Sequence, residues 1–430
     1  MELPPKSVVR VWSVLSVTLY VTCRFGASLD SKPGCPPCRC EGTLYYCDNA
    51  GLDAFPHHLI ANTTTISLTG LSLRHNHLLS VPEGALSRHT ALQWLLLGHS
   101  RIQRLGERSF LGLRRLKELE LSANHLRLLP NWTLRPLQNL RLLDLSSNRL
   151  SALSVGQFRG LRKLAALRLR GNRLASLPVR VFRDLRRLRH LDLGENQLQT
   201  LARNTFEGLI RLTELRLDQN RLSRINLGLF ARLTSLHTLD LSQNLAAWLS
   251  RTLHWYWPTL EHLDLSQNQL EWLEPNAFHG VPHLKSLLLH SNRLQVLELG
   301  ILNSWVSVEN LTLSWNPWDC GPSVCALAAW LVYHRGRQWD NGPLLCALPH
   351  KAAGENILDA VHTFQTCQSR VFDFHTAETN TSSVAQVNNR IEMDTAVLTG
   401  IVATTTTETE WYFVTEMTGN GLNEKESGYI

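Results

Sequence analysis

Leucine recurs along most of the chain in one grammar, L-x-x-L-x-L-x-x-N-x-L, and the asparagine position of that unit returns every 24 residues. The column reads Asn76, Ser100, Asn124, Asn148, Asn172, Asn196, Asn220, Asn244, Asn268, Asn292 and Asn316, with Ser100 as its one substitution. Eleven positions in unbroken register exceed what a leucine-rich composition produces by chance. Within each unit the L-x-L step alternates with period two, which predicts a short strand whose leucines, such as Leu143 and Leu145, point to one side. A single coil cannot bury that apolar face, whereas stacking on the coils before and after it buries the face and pairs the strands in parallel. The pattern therefore predicts an α/β solenoid: a leucine-rich repeat horseshoe with a parallel β-sheet on its concave face, built from about 11 coils of 24 residues over residues 61–317.

The asparagine falls where the chain must turn inside the coil. Its amide is expected to be buried and to satisfy backbone groups that the turn leaves unpaired. A second column, Phe110, Phe158, Phe182, Phe206, Phe230 and Phe278, lies on the return path and reads as aromatic filling of the convex side. One coil is irregular: Asn244 is followed by Leu245, Ala246, Ala247 and Trp248, His254 stands in the phenylalanine position, and Trp255, Tyr256 and Trp257 crowd beside it. Two readings stay open for this cluster, an exposed hot spot for a partner or replacement packing of the core.

Both ends of the solenoid need covers, and the cysteines stand where covers would be. Of nine cysteines, Cys23 lies in an N-terminal segment that reads as a secretory signal, with basic Lys6 and Arg10, an apolar run from Val11 to Cys23, and small Gly26, Ala27 and Ser28 before the mature chain. The other eight form two groups of four, Cys35, Cys38, Cys40 and Cys47, then Cys320, Cys325, Cys346 and Cys367. An even count in an exported chain predicts disulfides closed within each group. Zinc is disfavoured by the oxidising route and the lack of nearby histidine ligands. The expected organisation is a signal peptide over 1–27, an N-terminal cap over 28–60, the coils over 61–317, a C-terminal cap over 318–368 and a flexible tail over 369–430. That tail holds a Thr-rich run from Thr404 to Thr409 and only a short apolar patch from Ala396 to Ala403, so no membrane anchor is expected in it.

With 43% hydrophobic and 18% charged residues the chain is not a disordered polymer. The middle residue of each L-x-L faces the concave side and reads Ser72, Leu96, Glu120, Asp144, Arg168, Asp192, Arg216, Asp240, Asp264, Leu288 and Thr312, a mostly acidic strip suited to protein recognition. Positive charge collects elsewhere. Arg114, Arg115, Lys117, Arg162, Lys163, Arg186, Arg187, Arg189 and Arg211 precede the strands, and Arg101, Arg149, Arg173, Arg221 and Arg293 follow the asparagines. Stacking would align each set into a stripe compatible with heparan sulfate, while export disfavours a nucleic-acid partner. Sequons at Asn62, Asn131, Asn310 and Asn380 fit the same route, although a glycan on Asn310 would sit on the concave sheet. No glycine-rich phosphate loop, G-x-S-x-G or H-E-x-x-H occurs, so neither an enzyme nor a resident cofactor is expected.

Several segments outside the repeat are more distinctive: CPPCRCEGTLYYCD, LSLRHNH, LPNWT, PVRVF, LARNTFEGL, TSLHTL, the W-x-W of Trp255 and Trp257, ILNSW, NPWDCGPSVCALAAWL and GENILDAVHTFQTC. Through them the chain resembles the leucine-rich repeat transmembrane neuronal (LRRTM) family of synaptic adhesion proteins, over roughly residues 34 to 368. The resemblance implies an ectodomain at the postsynaptic surface that binds a presynaptic neurexin-like protein in a calcium-dependent way, with heparan sulfate proteoglycan as a further partner. It implies the pairings Cys35–Cys40, Cys38–Cys47, Cys320–Cys346 and Cys325–Cys367. It also implies a partner contact at Glu355 and Asp359, whose carboxylates would share a helix face if GENILDAV is helical. They would complete the shell of a calcium ion held mainly by the partner, with no metal bound by this chain alone. Asp264 and Ser266 on the concave strip are the next candidates. The sequence departs from the family in its tail, which lacks the family's membrane helix, and at Asn356, where the family has a third acid. The rival expectation is a secreted matrix protein that binds heparan sulfate or a growth factor.

Overall fold

Each coil contributes one three-residue strand, from Gly70–Ser72, Trp94–Leu96 and Glu118–Glu120 through to His262–Asp264, Ser286–Leu288 and Asn310–Thr312. These come from the computed structural model, which describes residues 38–56, 68–230, 232–249, 256–275, 277–334, 338–339, 342–363 and 367. The strands pair in parallel at a constant shift of one repeat, Leu71 opposite Leu95, Leu95 opposite Leu119, and so on to Leu287 opposite Leu311. Every one of these central leucines is buried. At about 1.5 to 3 kcal/mol for a fully buried leucine, such columns supply the main drive for stacking.

The sheet is closed at both edges by cap segments. A hairpin of Arg39–Glu41 and Leu44–Tyr46 is antiparallel within itself, and its second strand pairs in parallel with Gly70–Ser72. At the far end Gln338–Trp339 pairs with Asn310–Thr312, which completes a sheet of 14 strands. The backbone groups of the first and last coils, which would otherwise invite edge-to-edge association, are thus occupied. Cys38 is bonded to Cys47 beside the first edge, and Cys320 to Cys346 and Cys325 to Cys367 beside the second. Cys40 is also disulfide-bonded. Its expected partner Cys35 lies outside the described residues, as do the expected signal peptide, the tail, Asn62 and Asn380.

On the convex side the return legs are mostly tight turns. Among the described coil residues only the 3-10 turn Leu227–Leu229 and helix α1, Leu299–Asn303, are helical; helix α2, Cys325–Tyr333, and helix α3, Ile357–Thr363, belong to the C-terminal cap. The phenylalanine column stacks in the interior, with ring centroids 5.9 Å apart for Phe158 and Phe182 and 5.7 Å for Phe206 and Phe230. At the irregular coil Trp257 continues the stack, 6.1 Å from Phe230 and buried, so this tryptophan is core and not a hot spot. His254 and Trp255 lie outside the described residues, and Tyr256 is exposed.

The buried asparagines tie the coils together. Asn172 donates from Nδ2 to the carbonyls of Leu145 in the preceding coil and of Leu169 and Arg170 in its own, at 3.0, 2.9 and 3.4 Å. Its Oδ1 accepts from the Leu150 amide of the preceding coil at 3.0 Å. Asn76 does the same for the N-terminal cap, donating to Cys47 O and accepting from Leu52 N. Just before each asparagine the backbone is left-handed, with φ +55° at His75, +54° at Ser147 and +53° at Gln219. Ser100 sits on the same turn and is buried, yet its hydroxyl has no hydrogen-bond partner among the described residues.

Asn172→Ala is expected to leave several backbone groups buried and unpaired, lowering stability by about 1 to 3 kcal/mol. Ser100→Asn should restore the missing bridge and raise stability by about 1 kcal/mol. Urea denaturation followed by circular dichroism reads both. An unchanged midpoint for Asn172→Ala would remove the asparagine from its structural role.

Candidate functional site

Alternation along each strand presents three columns to the concave face, of which the acidic strip is the middle one. Apart from Ser266, the columns on either side were not legible as part of the site, because their residues look like ordinary polar filler around the leucines. They include Trp94, Glu118, His190, Glu214 and His262 before the middle column, and Arg74, Gly98, Arg170, Gly194, Asp218 and Ser266 after it.

Arginines of the outer and middle columns pair with three of the five acids of the strip. Arg74 donates from Nε and Nη2 to Glu120, two coils along, passing over Gly98. A Cβ at Gly98 would collide with the Glu120 carboxylate. The same device recurs at the centre: Arg170 reaches over Gly194 to make a bidentate pair with Asp218 at 3.0 and 2.8 Å, and its guanidinium also meets Glu195 at 2.8 Å and Asp192 at 3.7 Å. A Cβ at Gly194 would collide with both Arg170 and Asp218. Such fork-to-carboxylate pairs make two parallel charged hydrogen bonds and so fix direction better than a pair to lysine. Arg168 meets Asp144 at 3.2 Å. Glu214 lies between His190 Nδ1 at 3.1 Å and Arg216 Nε at 2.6 Å. The His190 hydrogen bond first, with Arg216 adding to it against the effect of burial, holds the Glu214 carboxyl down at about 2.

Asp240 and Asp264 differ. Each accepts at Oδ1 from the backbone N–H and hydroxyl of the serine two residues on, Ser242 at 3.0 and 2.7 Å and Ser266 at 2.9 and 2.6 Å. Neither has a cationic side chain within 4 Å among the described residues. Burial pushes the Asp240 carboxyl up to about 6, against the Ser242 hydrogen bond and with the like charges of Asp264 and Asp218 adding to the rise. Burial raises Asp264 as well, opposed by Ser266. Ser266 is itself buried, so it orients Asp264 and does not face a partner.

The cap acids lie differently from the expectation of a shared helix face. Helix α3 starts at Ile357, because Asn356 caps it: its Oδ1 accepts from Leu358 N at 3.1 Å and its carbonyl from Ala360 N at 2.8 Å. Asp359 is exposed in the first turn, whereas Glu355 precedes the helix in a loop tied to the strand Cys346–Leu348 through Cys346 N to Glu355 O at 2.8 Å. Of the sequons, Asn131 is exposed on a return leg. Asn310 is half-buried on the concave sheet, with Nδ2 donating to Ser286 Oγ at 3.1 Å.

The basic residues before the strands do line up in part. Gln93, Arg115, Lys117, Asn139, Arg141 and Lys163 border a shallow groove of about 280 Å³. Lys117 donates to Gln93 at 2.7 Å and Lys163 to Asn139 at 2.6 Å, neutral partners that leave the four positive charges of the groove uncompensated by its own lining.

The raised Asp240 value has a measurable consequence. Asp240→Asn keeps an acceptor for Ser242 and removes the charge. A folded-state value of about 6, above the unfolded one of about 3.9, means that the charged carboxylate costs stability above that window and nothing below it. The variant is expected to melt above wild type near about pH 7, with the difference closing as pH falls toward about 4. A difference that stays constant across that range would show that the charge is not its cause.

The leucine rich repeat family profile matches residues 66–126, 127–174, 162–222, 186–245, 210–270 and 258–317. Among solved structures, a chain of the octameric complex of Latrophilin 3, Unc5D and FLRT2, in which FLRT2 is the LRR component, superposes with a TM-score of 0.62 at 24% identity, over 74% of this chain and 95% of that one. A chain of the Drosophila Toll–Spatzle complex superposes with a TM-score of 0.58 at 23% identity, over 72% of this chain and 46% of that one. At these identities the superpositions speak to the fold, which is the stacked solenoid described above. With the profile matched over more than half of its length, the chain belongs to the leucine rich repeat family.

Proposed function

We propose that this chain is the ligand-binding ectodomain of an extracellular adhesion receptor, which takes a protein partner on the C-terminal half of its concave sheet and the adjoining cap. One observation carries the reading. In the middle column Glu120, Asp144 and Asp192 each have an arginine within 4 Å, whereas Asp240 and Asp264 have none among the described residues, because Arg216, opposite Asp240 in the sheet, pairs with Glu214 instead. A partly buried, preoriented carboxylate of this kind suits a partner's cation, or a calcium ion held by the partner, since calcium takes hard oxygen ligands and tolerates a shared shell. The solved complexes of FLRT2 and of Toll with other proteins support a protein partner on this fold. The finer identity, a neurexin-like presynaptic protein bound with calcium at a postsynaptic surface, rests on the resemblance carried by CPPCRCEGTLYYCD and GENILDAV. In this reading Glu355 and Asp359 offer separate carboxylates from the cap loop and from α3, in addition to Asp264 on the strip.

The test compares two paired variants, Asp240→Asn with Asp264→Asn and Glu355→Gln with Asp359→Asn, for binding to a neurexin ectodomain in calcium and in chelator. Wild type is expected to bind only with calcium. Each contributing pair should lose at least about tenfold in affinity, or about 1.4 kcal/mol, while melting no lower than wild type. Full affinity in both folded variants would overturn the site, and calcium-independent binding would overturn the partner.

A second reading, a glycan-binding surface for heparan sulfate, has its own observation in the basic groove. Lys117→Gln with Arg141→Gln and Lys163→Gln is expected to elute from immobilised heparin at lower salt than wild type, because fewer counterions are released on binding. Unchanged elution would remove the groove from consideration.

A further inference from the structure

The tryptophans of the last coil are not equivalent. Trp318 is core: it opens the strand Trp318–Asp319, which pairs with Cys346–Leu348, and it is fully buried. Trp315, three residues earlier, has no such role. It occupies the left-handed position before the repeated asparagine, φ +57°, where the other coils place histidine, alanine, serine, glycine, glutamate or glutamine. The fold thus asks for no aromatic ring there, and the side chain stands 68% exposed. Alongside it the C-terminal cap presents Gly342, where a Cβ would collide with Ser314 at 2.7 Å and meet the indole Nε1 at 3.4 Å. The neighbour on the pyrrole edge is therefore the smallest residue available.

Trp315-Asn316-Pro317-Trp318 is the only W-x-x-W among the 13 tryptophans of the sequence. That spacing is the acceptor pattern of tryptophan C-mannosylation in the secretory route, in which the first tryptophan takes the sugar. We propose that Trp315 carries a C-linked mannose. The donor class is mannose carried on a polyprenyl phosphate. Indole C2, the electron-rich carbon beside the ring nitrogen, attacks the anomeric carbon. A C2–C1 bond forms as the bond from C1 to the phosphate oxygen breaks, the polyprenyl phosphate leaves, and the C2 proton is lost to restore the aromatic ring; nothing is oxidised or reduced. The fold sets the timing. Asn316 is held by three carbonyls, those of Leu289, Leu313 and Ser314, and Trp318 is out of reach once the coil closes, so the transferase must read the chain before it folds. The finished coil then tolerates the sugar because the modified side chain is the exposed one of the pair.

The experiment is mass spectrometry of the full chain made in secretory cells that supply the polyprenyl-phosphate donor, after enzymatic removal of N-glycans so that Asn310 in the neighbouring sequence does not interfere. The expected result is one hexose mass on Trp315 that fragments across the sugar ring, as a carbon-linked sugar must, and none on the exposed Trp132, Trp248 or Trp272, which lack a tryptophan three residues on. The hexose should vanish in Trp315→Phe. It should vanish also in Trp318→Ala, scored on intracellular protein as well as on any secreted, because the step precedes folding and a misfolded variant still reports. An unmodified Trp315, a hexose lost whole as from a hydroxyl linkage, or a hexose that persists in Trp315→Phe would each overturn the assignment.

Discussion

A buried amide that fastens each coil to the one before it is the interaction on which the other features depend. Asn148 Nδ2 bonds Leu121 O of the preceding coil and Leu145 O of its own, while its Oδ1 takes the Leu126 amide. These groups belong to the turn and have no strand partner, so an apolar residue there would leave them buried and unsatisfied. Because the same bonds recur along the column, the pitch of the solenoid is held at one repeat, and residues 24 apart come to lie side by side. Every lateral relation on the concave face, from the leucine ladder to the ion pairs, follows from that register.

Register alone does not settle how charge is distributed. The two glycine windows do, because a residue with no Cβ in the intervening coil opens a path for an arginine to reach an acid two coils away. Arg74 over Gly98 and Arg170 over Gly194 use the same geometry to quench acids in the N-terminal and central parts of the face. Past Asp218 no arginine stands in the corresponding outer positions, where Ser242, Ser266 and His290 occur instead. The local serines stabilise Asp240 and Asp264 by hydrogen bonds without cancelling their charge. The acidity of the strip is thereby concentrated toward one end of the sheet, where the proposed partner would find it.

The ends and the irregular coil show the same backbone plan adjusted by single residues. Trp257 falls in the register slot that Leu233 and Val281 hold in the neighbouring coils, and its larger ring reaches the phenylalanine stack from there. Asn356 does for α3 what a third acid at that position would also do, since either side chain can cap a helix N-terminus. Its role as a cap is what separates Glu355 from the helix that bears Asp359.

The repeat, the inward leucines, the buried asparagines and the outward middle column were all legible in the sequence, because each is written within a single coil and repeated until its period is unmistakable. The pairing of Arg170 with Asp218 was not, since it joins residues 48 apart through a gap made by a third, Gly194, and no local pattern marks it. Nor could sequence alone tell Trp257 from Tyr256, neighbours in the chain with the first in the core and the second exposed. Sequence determines the faces of a coil through local periodicity. Which charges on those faces remain unpaired, and which aromatic side chain turns inward, was decided only when stacking brought distant side chains within reach of one another.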